Sequence, residues 1–216
     1  MYEQILEDLK NSSAQLIAVS KTKPNVLISE LYEKGQRAFG ENYVQELVDK
    51  QAALPTDIEW HFIGHLQSNK VKYIAPFIDM IHSVDSEKLL VEINKQAAKN
   101  NRVIKCLLQF HIADEDTKFG FDTEGVKKMM IDQTNAFSNV EICGVMGMAT
   151  FTDDKAQVRR EFKALKQMFD ELKSAYFVDN QSFTQISMGM SDDYKMAIEE
   201  GSTMVRIGSL LFGKRG

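Results

Sequence analysis

Three short stretches hold residue types that could carry covalent or anion-binding chemistry. In AVSKTKP (18–24) an apolar run stops at Lys21, followed by Lys23 and Pro24. In SMGMS (187–191) and RIGS (206–209) glycine and serine alternate at the ends of two further apolar runs. Withdrawing an amine from water favours its neutral form, a nucleophile able to condense with a carbonyl. Glycine lets backbone N–H groups approach an anion, and serine adds a hydroxyl donor. Gly189, Met190, Ser191, Gly208 and Ser209 therefore form a candidate phosphate turn, with Ser191 expected to cap the helix that follows. Asp192 and Asp193 open that same helix, so either they face away from a bound anion or the anion is held mainly by the backbone of 189–191 and 208–209. Ile17, Val19 and Lys21 share a strand face, which predicts that Lys21 is still on its strand and points inward. Lys23 shares the parity but precedes Pro24 and belongs to a turn.

The elements that must position these residues alternate regularly. Strand-like runs fall at 16–21, 37–42, 59–64, 80–85, 104–112, 141–149, 184–190 and 203–209. Helical spacing follows at 25–34, 43–53, 86–99, 123–134, 155–174 and 192–200, with a weaker segment at 67–74 and an amphipathic start at 1–13. The clearest helix repeats Phe162, Leu165, Phe169 and Leu172 at steps of three and four. About eight strand–helix units predict an α/β protein of the (β/α)8 TIM-barrel type, with an open doubly wound sheet as the alternative. In a barrel the C-terminal strand ends form the mouth, which gathers Lys21, Asn42, His61, Ser83, His111, Met146, Ser187 and Arg206. The turns after strands seven and eight are a frequent phosphate site.

The chain has 216 residues, 44% of them hydrophobic, and a formal charge of −5. These values fit one barrel over 1–216 and argue against a general nucleic-acid binder, which would carry a basic surface. No apolar run is long enough for a membrane span, and the start lacks the pattern of a secretion signal. Cytoplasmic residence is expected, and Cys106 and Cys143, far apart and inside apolar runs, read as buried free thiols. A lysine facing a phosphate turn implies a ligand with a carbonyl at one end and a phosphate at the other. Pyridoxal 5'-phosphate (PLP) meets that description, and so does the sugar phosphate of a lysine aldolase.

The strings AVSKTKP, FGENYVQE, WHFIGHLQSNK, SMGMSDDYKMAIEEGSTMVRIG and FGKR, in order from about residue 16 to 215, resemble the YggS/PROSC family of PLP homeostasis proteins. The resemblance implies a barrel of the alanine racemase N-terminal-domain type and PLP held as an aldimine of Lys21. It implies that Arg206 faces the pyridine nitrogen and that Ser187, Ser191, Gly208 and Ser209 surround the phosphate. Asn42, His61, Ser83 and Met146 match positions near the ring. An arginine opposite the ring nitrogen disfavours its protonation and makes the cofactor a poorer electron sink. Only ten residues follow Arg206, so the second, β-rich domain of the racemases is expected to be absent. His61 and His111 are the candidate acids and bases, and no opposed pair is evident.

The expectation is a carrier that buffers PLP and delivers it to PLP-dependent apoenzymes in intracellular vitamin B6 homeostasis, with little or no turnover. It is expected to act as a monomer, without nucleic-acid or membrane partners. The alternatives are a small PLP-dependent amino-acid racemase and the aldolase. Lys23 and Lys118, in loops at the mouth, are candidate landing points for a departing phosphate.

Overall fold

In the computed structural model, which describes residues 1–113, 120–121, 123–132 and 137–213, eight parallel strands close into a barrel in chain order. They are β1 (Gln15–Val19), β2 (Ala38–Glu41), β3 (Glu59–Phe62), β4 (Met80–Val84), β5 (Ile104–Gln109), β6 (Val140–Met146), β7 (Gln185–Ser187) and β8 (Met204–Ile207). Closure comes from β8 on β1, in register from Gln15↔Met204 to Ala18↔Ile207. The helices are α1 (Tyr2–Leu9), α2 (Asn25–Glu33), α3 (Val44–Ala53), α4 (Val71–Ile74), α5 (Glu87–Lys99), α6 (Thr123–Asp132), α7 (Lys155–Tyr176), α8 (Tyr194–Glu199) and α9 (Ser209–Phe212). The barrel of the sequence reading, rather than the open sheet, is the observed architecture.

Strand alternation divides the apolar residues into two cores. Ile17, Ala38, Met80, Leu107, Cys143, Met146 and Met204 meet inside the barrel. Ala18, Phe39, Ile81, Cys106, Val145 and Val205 face outward into the layer covered by the helices. Burial on both faces explains why the strands read as near-continuous apolar runs. In α7 the three-and-four spacing buries Val158, Phe162, Leu165 and Leu172, while Asp154 caps the helix by accepting from the N–H groups of Ala156 and Gln157. Cys106 and Cys143 are buried free thiols. Among the described residues no helix is long and apolar enough to cross a membrane.

Several expected strands stop early, always at the mouth. β1 ends at Val19 rather than at residue 21, because the Lys23 N–H turns back to the Ser20 carbonyl at 3.0 Å. β7 keeps only three residues, and β5 ends at Gln109, beyond which Phe110 makes a single bridge to Phe121. β8 gives way to α9 at Ser209, and α8 begins at Tyr194 rather than at 192. A parallel strand lasts only while a neighbour faces it, so an apolar run carried into a loop marks burial, not pairing.

Candidate functional site

One wall of the mouth is built on Arg206, an inward residue of β8 that lies in register with Ile17. Its guanidinium is buried, donating from Nη1 to Ser187 Oγ at 2.5 Å and from Nη2 to the Gly147 carbonyl at 3.0 Å. Ser187 Oγ also meets His82 Nδ1 at 2.9 Å, and His82 Nε2 meets His61 Nδ1 at 2.8 Å. The result is a buried chain running Arg206–Ser187–His82–His61 through the barrel interior. Burial pulls the Arg206 pKa down to about 10, against the opposing charge of Asp193. Burial also pulls His61 down to about 4 and His82 well below the ordinary histidine range. Both imidazoles are therefore neutral near pH 7, and the chain anchors Arg206 without neutralising it.

The other wall carries Lys21. It lies in a turn two residues beyond β1, half-buried, so strand parity does not set its direction as the sequence reading expected. Thr22, the next residue, has a φ of 62°. The left-handed region is disfavoured for a β-branched residue by roughly 1–3 kcal/mol, so the turn must be held by its surroundings. It is: the Thr22 N–H donates to Glu46 Oε1 at 2.6 Å, and the Ser20 hydroxyl donates to Glu41 Oε1 at 2.6 Å. Lys23 is half-buried as well, and its ammonium donates to the carbonyls of Phe212 (3.1 Å) and Gly213 (3.2 Å), bracing the end of α9. That engagement gives Lys23 a structural task the sequence reading did not foresee. Lys118 lies outside the described residues.

The turn after β7 differs from its expected form. Gly189 has a φ of 93°, and a Cβ there would lie 2.5 Å from Ala197 Cβ, so glycine is required. Its carbonyl accepts the Arg206 N–H at 2.9 Å, tying this turn to β8. Asp193, not Ser191, is the residue that precedes α8. Its carboxylate turns back to take the Met190 N–H at 2.6 Å, which removes Met190 as an anion donor. Burial raises the Asp193 pKa, against the Met190 hydrogen bond and the Arg206 charge. Among the described residues, no backbone acceptor takes the N–H of Ser191, Gly208 or Ser209. Gly208 lies close against β1, where a Cβ would stand 3.2 Å from the Val19 carbonyl oxygen. A cleft of about 1020 Å³ opens beside the turn, reaching Met190, Ser191, Thr150, Phe151 and Leu210 but not Lys21.

Two expected ring neighbours carry an incomplete polar atom. Asn42 Oδ1 and Ser83 Oγ are buried without a hydrogen-bond partner. Asn42 is packed under Gly64, where a Cβ would lie 2.5 Å from the Asn42 carbonyl oxygen. Ser83 owes its place to a register shift between Ile81 and Val84, both of which face the outer core. Met146 joins the apolar cluster inside the barrel. His111 is exposed, and the partner of His61 is instead His82.

His82, Glu41, Glu46, Lys50 and Gly64 were not singled out by sequence reasoning. Alternation from Met80 along β4 was a usable signal for His82. The four-residue spacing of Glu46 and Lys50 placed them on one helix face but gave no hint of burial.

The alanine racemase, N-terminal domain family model matches residues 2–216. A pyridoxal phosphate homeostasis protein of Aquifex aeolicus is 43% identical over 203 residues, covering 94% of this chain and 87% of the relative. The solved structure of PipY from Synechococcus elongatus PCC7942 with PLP bound has a TM-score of 0.87 and 36% identity, covering 98% of this chain and 99% of that one. An alanine racemase from Bartonella henselae shares the fold at a TM-score of 0.76 and 16% identity, with 99% of this chain matching 59% of the racemase. The chain belongs to the pyridoxal phosphate homeostasis (YggS/PROSC) family, built on the alanine racemase N-terminal-domain barrel.

Proposed function

We propose that residues 1–216 act as one PLP-binding barrel that holds the cofactor at Lys21, buffers it and releases it to PLP-dependent apoenzymes, with little or no turnover of its own. When bound, PLP supplies an aldehyde that condenses with an amine and a ring that can accept electron density. The residues present fit such a group. The observation that carries the reading is the pair of orphaned buried atoms, Asn42 Oδ1 and Ser83 Oγ, in the mouth that also holds Lys21 and the buried cation of Arg206. Orphaned buried polar atoms are costly unless a ligand or water completes them.

In this reading Lys21 would provide the amine that holds the cofactor, and Arg206 a fixed cation for its ring. Ser191, Gly208 and Ser209 offer N–H donors to the phosphate. Met190 contributes packing only, since Asp193 holds its N–H. The Arg206 charge is anchored by a serine, a carbonyl and neutral histidines, and beside a pyridine nitrogen it would disfavour protonation there and make the ring a weaker electron sink. His61 and His82 are committed to each other and to Ser187, which leaves them poor proton shuttles. The resulting chemistry is storage rather than rearrangement at carbon.

Borohydride reduction of protein loaded with PLP, followed by peptide mapping, tests the anchor. A stable secondary amine is expected on Lys21, and a label elsewhere or none would overturn the assignment. Incubating loaded protein with L-amino acids for hours tests the carrier reading, with no racemised or deaminated product expected.

A further inference from the structure

The turn that carries Lys21 is gripped on both sides by one cluster of charges built on the buried Lys50 and Glu41. Lys50, on α3, is 5% exposed, and its ammonium donates to the Ser20 carbonyl (2.8 Å), Glu41 Oε1 (2.7 Å) and Glu46 Oε1 (2.6 Å). Those three bonds use all its donors. Glu41 Oε1 also accepts the Ser20 hydroxyl, and Glu46 Oε1 also accepts the Thr22 N–H. The residue between the gripped positions, Ser20 and Thr22, is Lys21.

We propose that Glu41, Lys50 and Glu46 are positioning residues that clamp the Ser20–Thr22 backbone so that Lys21 is held in the geometry in which it binds and retains PLP. The inference rests on the reading of Lys21 given above. A purely architectural role explains the cluster poorly. β1 and β2 are already joined through Ala18↔Phe39, Val19↔Gly40 and the Ser20 N–H to the Gly40 carbonyl. The cluster also sets two carboxyl groups against one ammonium, and Glu41 Oε2 is buried without a hydrogen-bond partner. Burial raises the Glu41 pKa in spite of Lys50. Apolar side chains of similar volume often stabilise a protein as well as a buried ion pair does, so a costly one whose bonds converge on one turn points to that turn.

The test uses Glu46→Ala, Glu46→Gln and the paired exchange Glu41→Leu with Lys50→Met. The side chain of Glu46 is 24% exposed, so its variants should fold. The paired exchange removes both buried charges together and should keep its melting temperature within a few degrees. PLP-loaded proteins are mixed with excess hydroxylamine, the loss of the visible band is followed, and visible circular dichroism reports how the chromophore is held. Glu46→Ala should release PLP about tenfold faster than wild type, the equivalent of one charge-assisted hydrogen bond. Glu46→Gln, which keeps an acceptor for the Thr22 N–H, should recover most of the difference. The paired exchange should release at least as fast as Glu46→Ala and with altered dichroism. Wild-type release and dichroism in Glu46→Ala overturn the clamp, and Glu46→Ala alone decides if the paired exchange does not fold. If wild-type protein is not labelled at Lys21 by borohydride, the parent reading fails instead.

Discussion

The two walls of the mouth fix a cationic side chain by opposite means. Around Arg206 the supports are a serine hydroxyl, a backbone carbonyl and two neutral imidazoles. Around the Lys21 turn the supports are charged, and the Lys50 cation is spent entirely inside the protein on two carboxylates and a carbonyl. The first wall presents charge to whatever occupies the mouth, since no carboxylate contacts Arg206 among the described hydrogen bonds. The second presents geometry, a strained turn held at both flanks. A barrel can thus hold a cation for its field or consume one for its shape, and this protein does both a few residues from each other's strands.

The sharpest way to break the comparison is to remove the group that the second wall positions. Lys21→Ala should abolish both the visible band and the borohydride label while leaving the melting temperature nearly unchanged, because Lys21 lies half-buried in a turn outside the apolar core. Residual label on Lys23 would show that the turn tolerates either amine.

Ser187→Ala attacks the first wall at its hinge. It strands Arg206 Nη1 and His82 Nδ1 in a buried site, at about 1–3 kcal/mol for each unsatisfied group. Denaturant unfolding should show a loss of about 3 kcal/mol, and the loaded protein should show a shifted visible spectrum as Arg206 loosens. The Glu46 variants should do the reverse, changing release and leaving the spectrum's position alone.

The walls should also tilt stability in opposite directions with pH. His61 has a folded pKa of about 4 against an ordinary 6.5, so the unfolded chain binds more protons between those values. Stability from His61 is complete above pH 6.5 and falls as the pH drops toward 4, by about 3 kcal/mol in all. His82 adds to the same trend. Glu41 has its pKa raised, so the folded state binds the extra proton. Its contribution falls as the pH rises from the ordinary carboxylate range through the raised value. Unfolding at pH 7 and pH 5 should show a flatter profile for His61→Phe than for wild type. Glu41→Gln should show a steeper loss on acidification, because the opposing group is gone.

What the sequence disclosed follows the same division. The barrel was legible because eight apolar runs alternate with helical spacing, and the Arg206 wall was half legible because glycine and serine flag a turn. His82 is marked only by alternation from Met80, and Ser83, the polar residue nearer the end of β4, masks it. The Lys21 wall was legible only at Lys21. Glu41, Glu46 and Lys50 look like solvated charges, and burial by helix packing is a tertiary property that no local pattern records. Ser191 was a sound cap by type, but α8 starts later, and Asp193, which precedes it, spends its carboxylate on the Met190 N–H rather than on the helix. Strand ends were overextended because burial and pairing look alike in one dimension.

The smallest expected effect concerns Lys23, whose ammonium reaches the end of α9. Its ammonium holds the carbonyls of Phe212 and Gly213 at the C-terminal end of α9, whose first residue, Ser209, offers one of the proposed phosphate donors. Lys23→Ala should therefore cost less than about 1 kcal/mol of global stability, the net worth of a hydrogen bond at a partly solvated site. It should instead quicken amide exchange at Leu211 and Phe212, whose N–H groups bond the Gly208 carbonyl. The borohydride label should remain on Lys21, and PLP release should rise only slightly, through the phosphate side. A release rate comparable to that of Glu46→Ala would mean that the C-terminal turn, rather than the charged cluster, governs retention, and the contrast between the walls would have to be redrawn around α9.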